Sequence, residues 1–174
     1  MKYKIVSKSG KGNFSLCDEK KKELCKVTYD NMFSSKARTI INKDQFEIKA
    51  RNIWWRKFDM FKNGIDIGDI VFNWRGHIII RILGNDNKEH HFLMKRKGFW
   101  KSRFELENEN EQKVLTMYAG YNWSKWRYNF DIQVHQQLPS VILSEELLVY
   151  CAYAANLYLS QMSAVAAGGS AAAC

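Results

Sequence analysis

Hydrophobic and polar positions alternate along most of the chain. Tyr128, Phe130, Ile132 and Val134 fall on one side of an extended segment, and Asn129, Asp131, Gln133 and His135 on the other. A period of two marks a strand with one dry and one wet face. Phe46, Ile48 and Ala50 alternate in the same way with Glu47, Lys49 and Arg51, and Trp100, Phe104 and Leu106 with Lys101, Arg103, Glu105 and Glu107. Ile70, Phe72 and Trp74 define a further dry face. Turn signals separate these runs: Lys11-Gly12, Asn63-Gly64, Arg75-Gly76, the GNDNKE stretch at 84–89, Gly98 and the ENENEQ stretch at 107–112. The spacing predicts about a dozen short strands. Connections this short make sequence neighbours pair, so the sheet is expected to be an antiparallel meander.

The pattern changes after Pro139. Ser140 or Ser144 suits a helix cap, and Glu145 and Glu146 suit a first turn. From Leu147 onward the chain carries no charge, and Leu147 to Ala155 is unbroken apolar sequence. A helix apolar nearly all round lies inside a protein or inside a membrane. Asn156, Ser160, Gln161 and Ser163 interrupt the run, and alanines stand where a membrane span would carry leucines. The strands also need cover for their dry faces. One arrangement meets both needs: a sheet closed on itself, with the helix filling a lumen too wide for strand side chains alone. The expected fold is therefore mainly β, a closed antiparallel barrel of about twelve strands threaded by a hydrophobic C-terminal α-helix. It forms a single domain over 1–167, with the helix at about 141–166 and a short flexible tail at 168–174. A chain of 174 residues buries enough surface to fold without disulfide or metal.

In its order of elements the chain resembles the tubby C-terminal-like superfamily, which includes tubby domains, LURP-one-related proteins and phospholipid scramblases. A basic β-meander is followed by YNFDIQVHQQLPSVILSEELLVYCAYAANLYL as last strand, connector and central helix, and the likeness runs from Lys2 to about Ala167. The chain lacks the Pro- and Cys-rich N-terminal segment of scramblases and an acidic calcium-loop pattern. The resemblance implies the barrel and a link to membrane lipids, and it assigns no phosphoinositide-binding residues.

Charge adds a direction. The chain has 27 basic against 18 acidic residues, net +9, which suits an anionic partner. The cations cluster with aromatics. Lys49, Arg51, Arg56 and Lys57 surround Trp54 and Trp55; Lys95, Lys97, Lys101 and Arg103 flank Phe99 and Trp100; Lys125 and Arg127 lie between and beside Trp123 and Trp126. Cations with indoles at loop tips suit anionic lipid headgroups, and equally suit single-stranded nucleic acid, whose bases stack on rings. Trp74 and Trp100, in register with dry faces, are expected in the barrel core.

Candidate chemistry is sparse. His90 and His91 are adjacent on one strand and point to opposite faces, and no HExxH, GxSxG, Walker or GxGxxG pattern occurs. Cys17, Cys25, Cys151 and Cys174 show no CxxC spacing, and Lys2, Lys4 and Lys8 break any signal-peptide run. No cofactor or metal is expected. The leading expectation is a non-enzymatic cytosolic module, peripheral to membranes, that binds anionic phospholipid headgroups. The alternatives are a nucleic-acid-binding protein, a scramblase-like protein with an inserted C-terminal helix, and a scaffold for protein partners. A ligand-carrying barrel of lipocalin type is disfavoured because the helix would fill its lumen.

Overall fold

The computed structural model describes residues 1–10, 12–31, 35–51, 56–98, 102–125, 127–135 and 144–169, with side chains in the last segment from 145 to 162. Twelve strands precede one helix: β1 (Lys2–Ser7), β2 (Phe14–Cys17), β3 (Glu23–Tyr29), β4 (Ala37–Ile41), β5 (Asp44–Ala50), β6 (Lys57–Lys62), β7 (Ile65–Phe72), β8 (Ile78–Leu83), β9 (Glu89–Lys97), β10 (Arg103–Glu107), β11 (Lys113–Asn122), β12 (Arg127–Val134) and α1 (Ser144–Gly169). Each strand pairs antiparallel with its sequence neighbours, and β1 pairs with β12 to close the barrel. Closure leaves no sheet edge to recruit another chain.

The period-two pattern becomes two concentric surfaces. Phe58, Ile70, Ile80 and Phe92 are successive cross-strand partners on β6 to β9, and all four are buried in the lumen. The next row outward is Asp59, Asp69, Arg81 and His91, again successive partners. Arg81 grips Asp69 with Nε and Nη2 at 2.7 Å each, and Lys57 reaches the same carboxylate at 2.8 Å. Burial disfavours an ionised Asp69, but these two cations outweigh it and hold its pKa below the ordinary aspartate value. An apolar lumen and an ionic outer wall invert the layout of a membrane-spanning barrel, whose apolar belt faces out.

Tight turns match the local chemistry. Asn63 and Gly64 both take positive φ, 51° and 82°, as a two-residue hairpin requires. Asn42 and Lys43 make the equivalent turn between β4 and β5 without glycine, at 50° and 76°.

α1 fills the lumen. Leu147 to Ala155 are all at most 1 % exposed and belong to one cluster with the inward side chains of every strand from β1 to β12. Tyr153 stacks on Tyr29 with centroids 5.9 Å apart, meets Phe58 edge-on, and donates its hydroxyl to the Ser35 carbonyl at 2.6 Å. Ala152, Ala154 and Ala155 let the wall approach the helix backbone. The helix starts at Ser144 rather than near 141 and runs through Gly168 and Gly169, which the sequence pattern assigns to the tail; the rest of the tail and the 136–143 connector lie outside the described residues. No described helix is long and apolar enough to cross a membrane.

Candidate functional site

Every connection in the barrel joins antiparallel neighbours, so successive connections leave at alternate ends. One end receives 8–13, 30–36, 51–56, 73–77, 98–102 and 123–126; the other receives 18–22, 42–43, 63–64, 84–88, 108–112 and the lead into α1. All six tryptophans of the chain, Trp54, Trp55, Trp74, Trp100, Trp123 and Trp126, belong to the first set. In sequence these connections carry Lys8, Lys11, Lys36, Arg51, Arg56, Arg75, Lys101 and Lys125 against Asp30 alone. The second set carries Lys20, Lys21, Lys22, Lys43 and Lys88 against Asp18, Glu19, Asp86, Glu109 and Glu111, and so has no net charge. The molecule therefore has a basic, tryptophan-bearing pole and a neutral one. Trp54, Trp55, Trp100, Lys101 and Trp126 lie outside the described residues.

Two tips of the basic pole are built by local hydrogen bonds around an asparagine. At 73–77, the Asn73 carboxamide oxygen accepts the N–H of Arg75 at 3.0 Å and of His77 at 2.9 Å, and Gly76 takes positive φ. This turn swings Trp74 off the dry face of β7. The ring is 79 % exposed and the Arg75 guanidinium lies 4.9 Å from its centroid. The expectation of a core Trp74 is thus corrected: the alternation ends at Phe72, because the Asn73 turn interrupts the strand. At 123–126, Lys125 N–H bonds the Asn122 carbonyl and Ser124 bonds its side-chain oxygen, which presents Trp123 at 76 % exposure. Tyr121 meets Trp123 edge-on at 4.8 Å and Tyr128 at 5.1 Å, forming an aromatic rim on the barrel mouth.

The structure divides the predicted cations. Arg51 binds Asp59 at 2.7 Å, Lys57 binds Asp69, Lys95 binds Glu107 at 2.6 Å and Arg103 approaches Glu105 at 3.4 Å. The Asp59 hydrogen bond raises the Arg51 pKa further. These four are committed to wall carboxylates. Lys49 lies over the Phe61 ring at 4.2 Å. Arg56, Lys97, Lys125 and Arg127 form no ion pair among the described residues, nor does Arg75, which the sequence reading passed over. Arg96 bridges to Ser102 at 3.1 Å and faces the Tyr158 ring, where α1 leaves the lumen at this pole. Met162, beyond it, is 46 % exposed.

His90 and His91 turn to separate partners, Asp86 at 3.2 Å and Glu89 at 2.6 Å. Burial pushes the Cys25 thiol up to about 11 and raises Cys17 and Cys151 as well, so these sulfurs are poor nucleophiles and poor ligands. No group of three or more potential ligands stands close enough to hold a metal among the described residues. No protein-family model matches the chain, and neither a curated protein nor a solved structure is detectably similar to it.

Proposed function

We propose that the chain is a non-enzymatic module that docks, through its tryptophan-bearing pole, on a cytoplasmic membrane surface carrying anionic phospholipid. The exposure of Trp74 and Trp123 at one end, on connections whose sequence carries eight cations against one carboxylate, carries this reading. Indoles favour the headgroup layer, and each Lys or Arg near an anionic surface contributes about 1 kcal/mol. The ionic outer wall keeps the barrel itself in water. The lipid reading is consonant with the tubby C-terminal-like resemblance drawn from the sequence.

The test is sedimentation with vesicles. Binding is expected with anionic vesicles, weak with purely zwitterionic ones, and falling as salt rises, because screening sets in over about 8–10 Å. Changing Arg56, Arg75, Lys97 and Lys125 together to glutamine removes about 4 kcal/mol, roughly a thousandfold in affinity. The same change made at Arg51, Lys57, Lys95 and Arg103, which already hold carboxylates, costs less binding and more stability. Equal binding to anionic and zwitterionic vesicles contradicts the proposal.

The rim of Tyr121, Trp123 and Tyr128 beside Lys125 and Arg127 also favours a second reading, stacking of single-stranded nucleic acid. On that reading Trp123→Ala costs about 1–3 kcal/mol of oligonucleotide affinity at physiological salt. On the membrane reading oligonucleotides bind in low salt only and the ring contributes nothing.

A further inference from the structure

At the neutral pole the lumen opens into a cavity of about 270 Å³ between the start of α1 and the β8–β9 turn. Its wall includes Ile67 and Ile82, its rim Asn85 and Asn87, and its floor Glu146 and Lys62. This volume equals roughly nine waters at ~30 Å³ each, so a small organic molecule fits. Glu146 is 6 % exposed, and its one described hydrogen bond comes from the buried Tyr150 hydroxyl to Oε1 at 3.3 Å. Lys62 is the nearest cation that acts on it, but Lys62 Nζ sits 3.1 Å from Asp44 and 5.5 Å from the Phe46 centroid. The cation is already engaged, and Asp44 adds its own repulsion to Glu146.

A buried carboxyl that lines an open cavity without a bonded cation is costly unless something pairs with it. An anion would meet the Glu146 carboxylate, with Lys62 already held by Asp44. A neutral polar molecule would leave the carboxylate uncompensated. A cation of suitable size would pair with Glu146, and the Asn85 and Asn87 carboxamide oxygens at the rim could accept its remaining N–H groups. A short hydrocarbon chain on that cation would cover Leu83, which lines the cavity and is 44 % exposed.

We propose that this cavity is a binding site for a small aliphatic ammonium compound, with Glu146 as its counter-ion and Asn85 and Asn87 as rim acceptors. The site stands apart from the tryptophan pole, at the opposite end of α1, and does not rest on the membrane reading.

The test titrates the full-length protein with butylammonium chloride, butan-1-ol and sodium butyrate at neutral pH and matched ionic strength. Backbone amide shifts are followed by NMR. Butylammonium is expected to give saturable shifts at Leu83, Asn85, Asn87 and Glu146, and the alcohol and the carboxylate are not. Glu146→Gln keeps the shape of the side chain and weakens the ammonium by about tenfold or more, as loss of a charge-assisted bond does. Asn85 is exposed, so its variants fold: Asn85→Asp tightens binding and Asn85→Lys weakens it. Three outcomes overturn the proposal: no saturable response to butylammonium, an equal response to butanol or butyrate, or affinity unmoved by the charge changes at 146 and 85.

Discussion

Glu146 shows how one residue's surroundings set its cost. It sits one turn from Tyr150 inside the barrel mouth, and burial, before any other influence, raises its pKa above the ordinary glutamate value, with Asp44 adding and Lys62 opposing. The sign follows from proton counts. Between the unfolded and folded pKa values the folded chain holds the proton that the unfolded chain has lost, so stability falls as pH rises through that window. Glu146→Gln has no such window. Its melting midpoint is therefore expected to rise relative to the parent protein as pH increases from about 4, to level off once the folded carboxyl has ionised, and the gap closes toward acid. Thermal melts of both proteins across that range check this, and a gap that is constant or widens toward acid contradicts it. In sequence Glu146 reads as an ordinary first-turn glutamate. Nothing in the local pattern says that this turn is already enclosed, since enclosure comes from Lys62 and the 84–88 turn, both distant along the chain. Trp74 errs in the opposite direction. Period two carries it onto the dry face, and only the Asn73 side chain, by capturing two backbone N–H groups, ends the strand before it.

At the scale of elements, α1 is the barrel's core. Wide barrels cannot fill their lumen with their own side chains, and here Tyr150, Tyr153 and the leucines supply the missing volume. Leu148 is fully buried. Leu148→Asp places an unpaired charge there at a cost of several kcal/mol, a third or more of a typical domain's stability. A denaturant midpoint left in place by that substitution contradicts the threaded helix. Removal of 144–174 is expected to abolish cooperative melting, because the inward faces of most strands would meet water. Much of this was legible beforehand. Strand faces follow from alternation at residues such as Phe46, Ile48, Phe130 and Ile132, which are all buried. A helix apolar around all but a narrow stripe at Glu145, Asn156, Ser160 and Ser163, set beside strands that need cover, implies the threading. Helix bounds were less legible, because Ser140 and Ser144 are both competent caps, and Gly168 and Gly169 look like an end although the helix runs through them.

At the scale of the molecule, chain parity turns scattered motifs into a surface. The basic-aromatic stretches at 49–57, 95–103 and 123–128 are each visible in sequence as hairpin tips, and counting strands between them shows that all three return to one end. That count needs every strand, including the short β2 and the turn at Asn42-Lys43 that carries no glycine, so the common pole emerges only with the closed barrel. Which cations remain available was not legible either. Arg51, Lys57 and Lys95 meet carboxylates on the next strand, a pairing set by register, and Arg103 meets Glu105 on its own strand. The proposed docking implies an orientation: tryptophan pole toward the lipid, neutral pole and its cavity toward the solvent.

Orientation is directly measurable. With Cys174 changed to serine and Cys17, Cys25 and Cys151 protected by burial, a single fluorescent label is placed through Trp123→Cys at one pole or Asn87→Cys at the other. Each protein is then bound to anionic vesicles containing a spin-labelled lipid. Strong quenching at 123 with little at 87 is the result expected from one-ended docking. Equal quenching at both positions, or quenching at 87 alone, contradicts it.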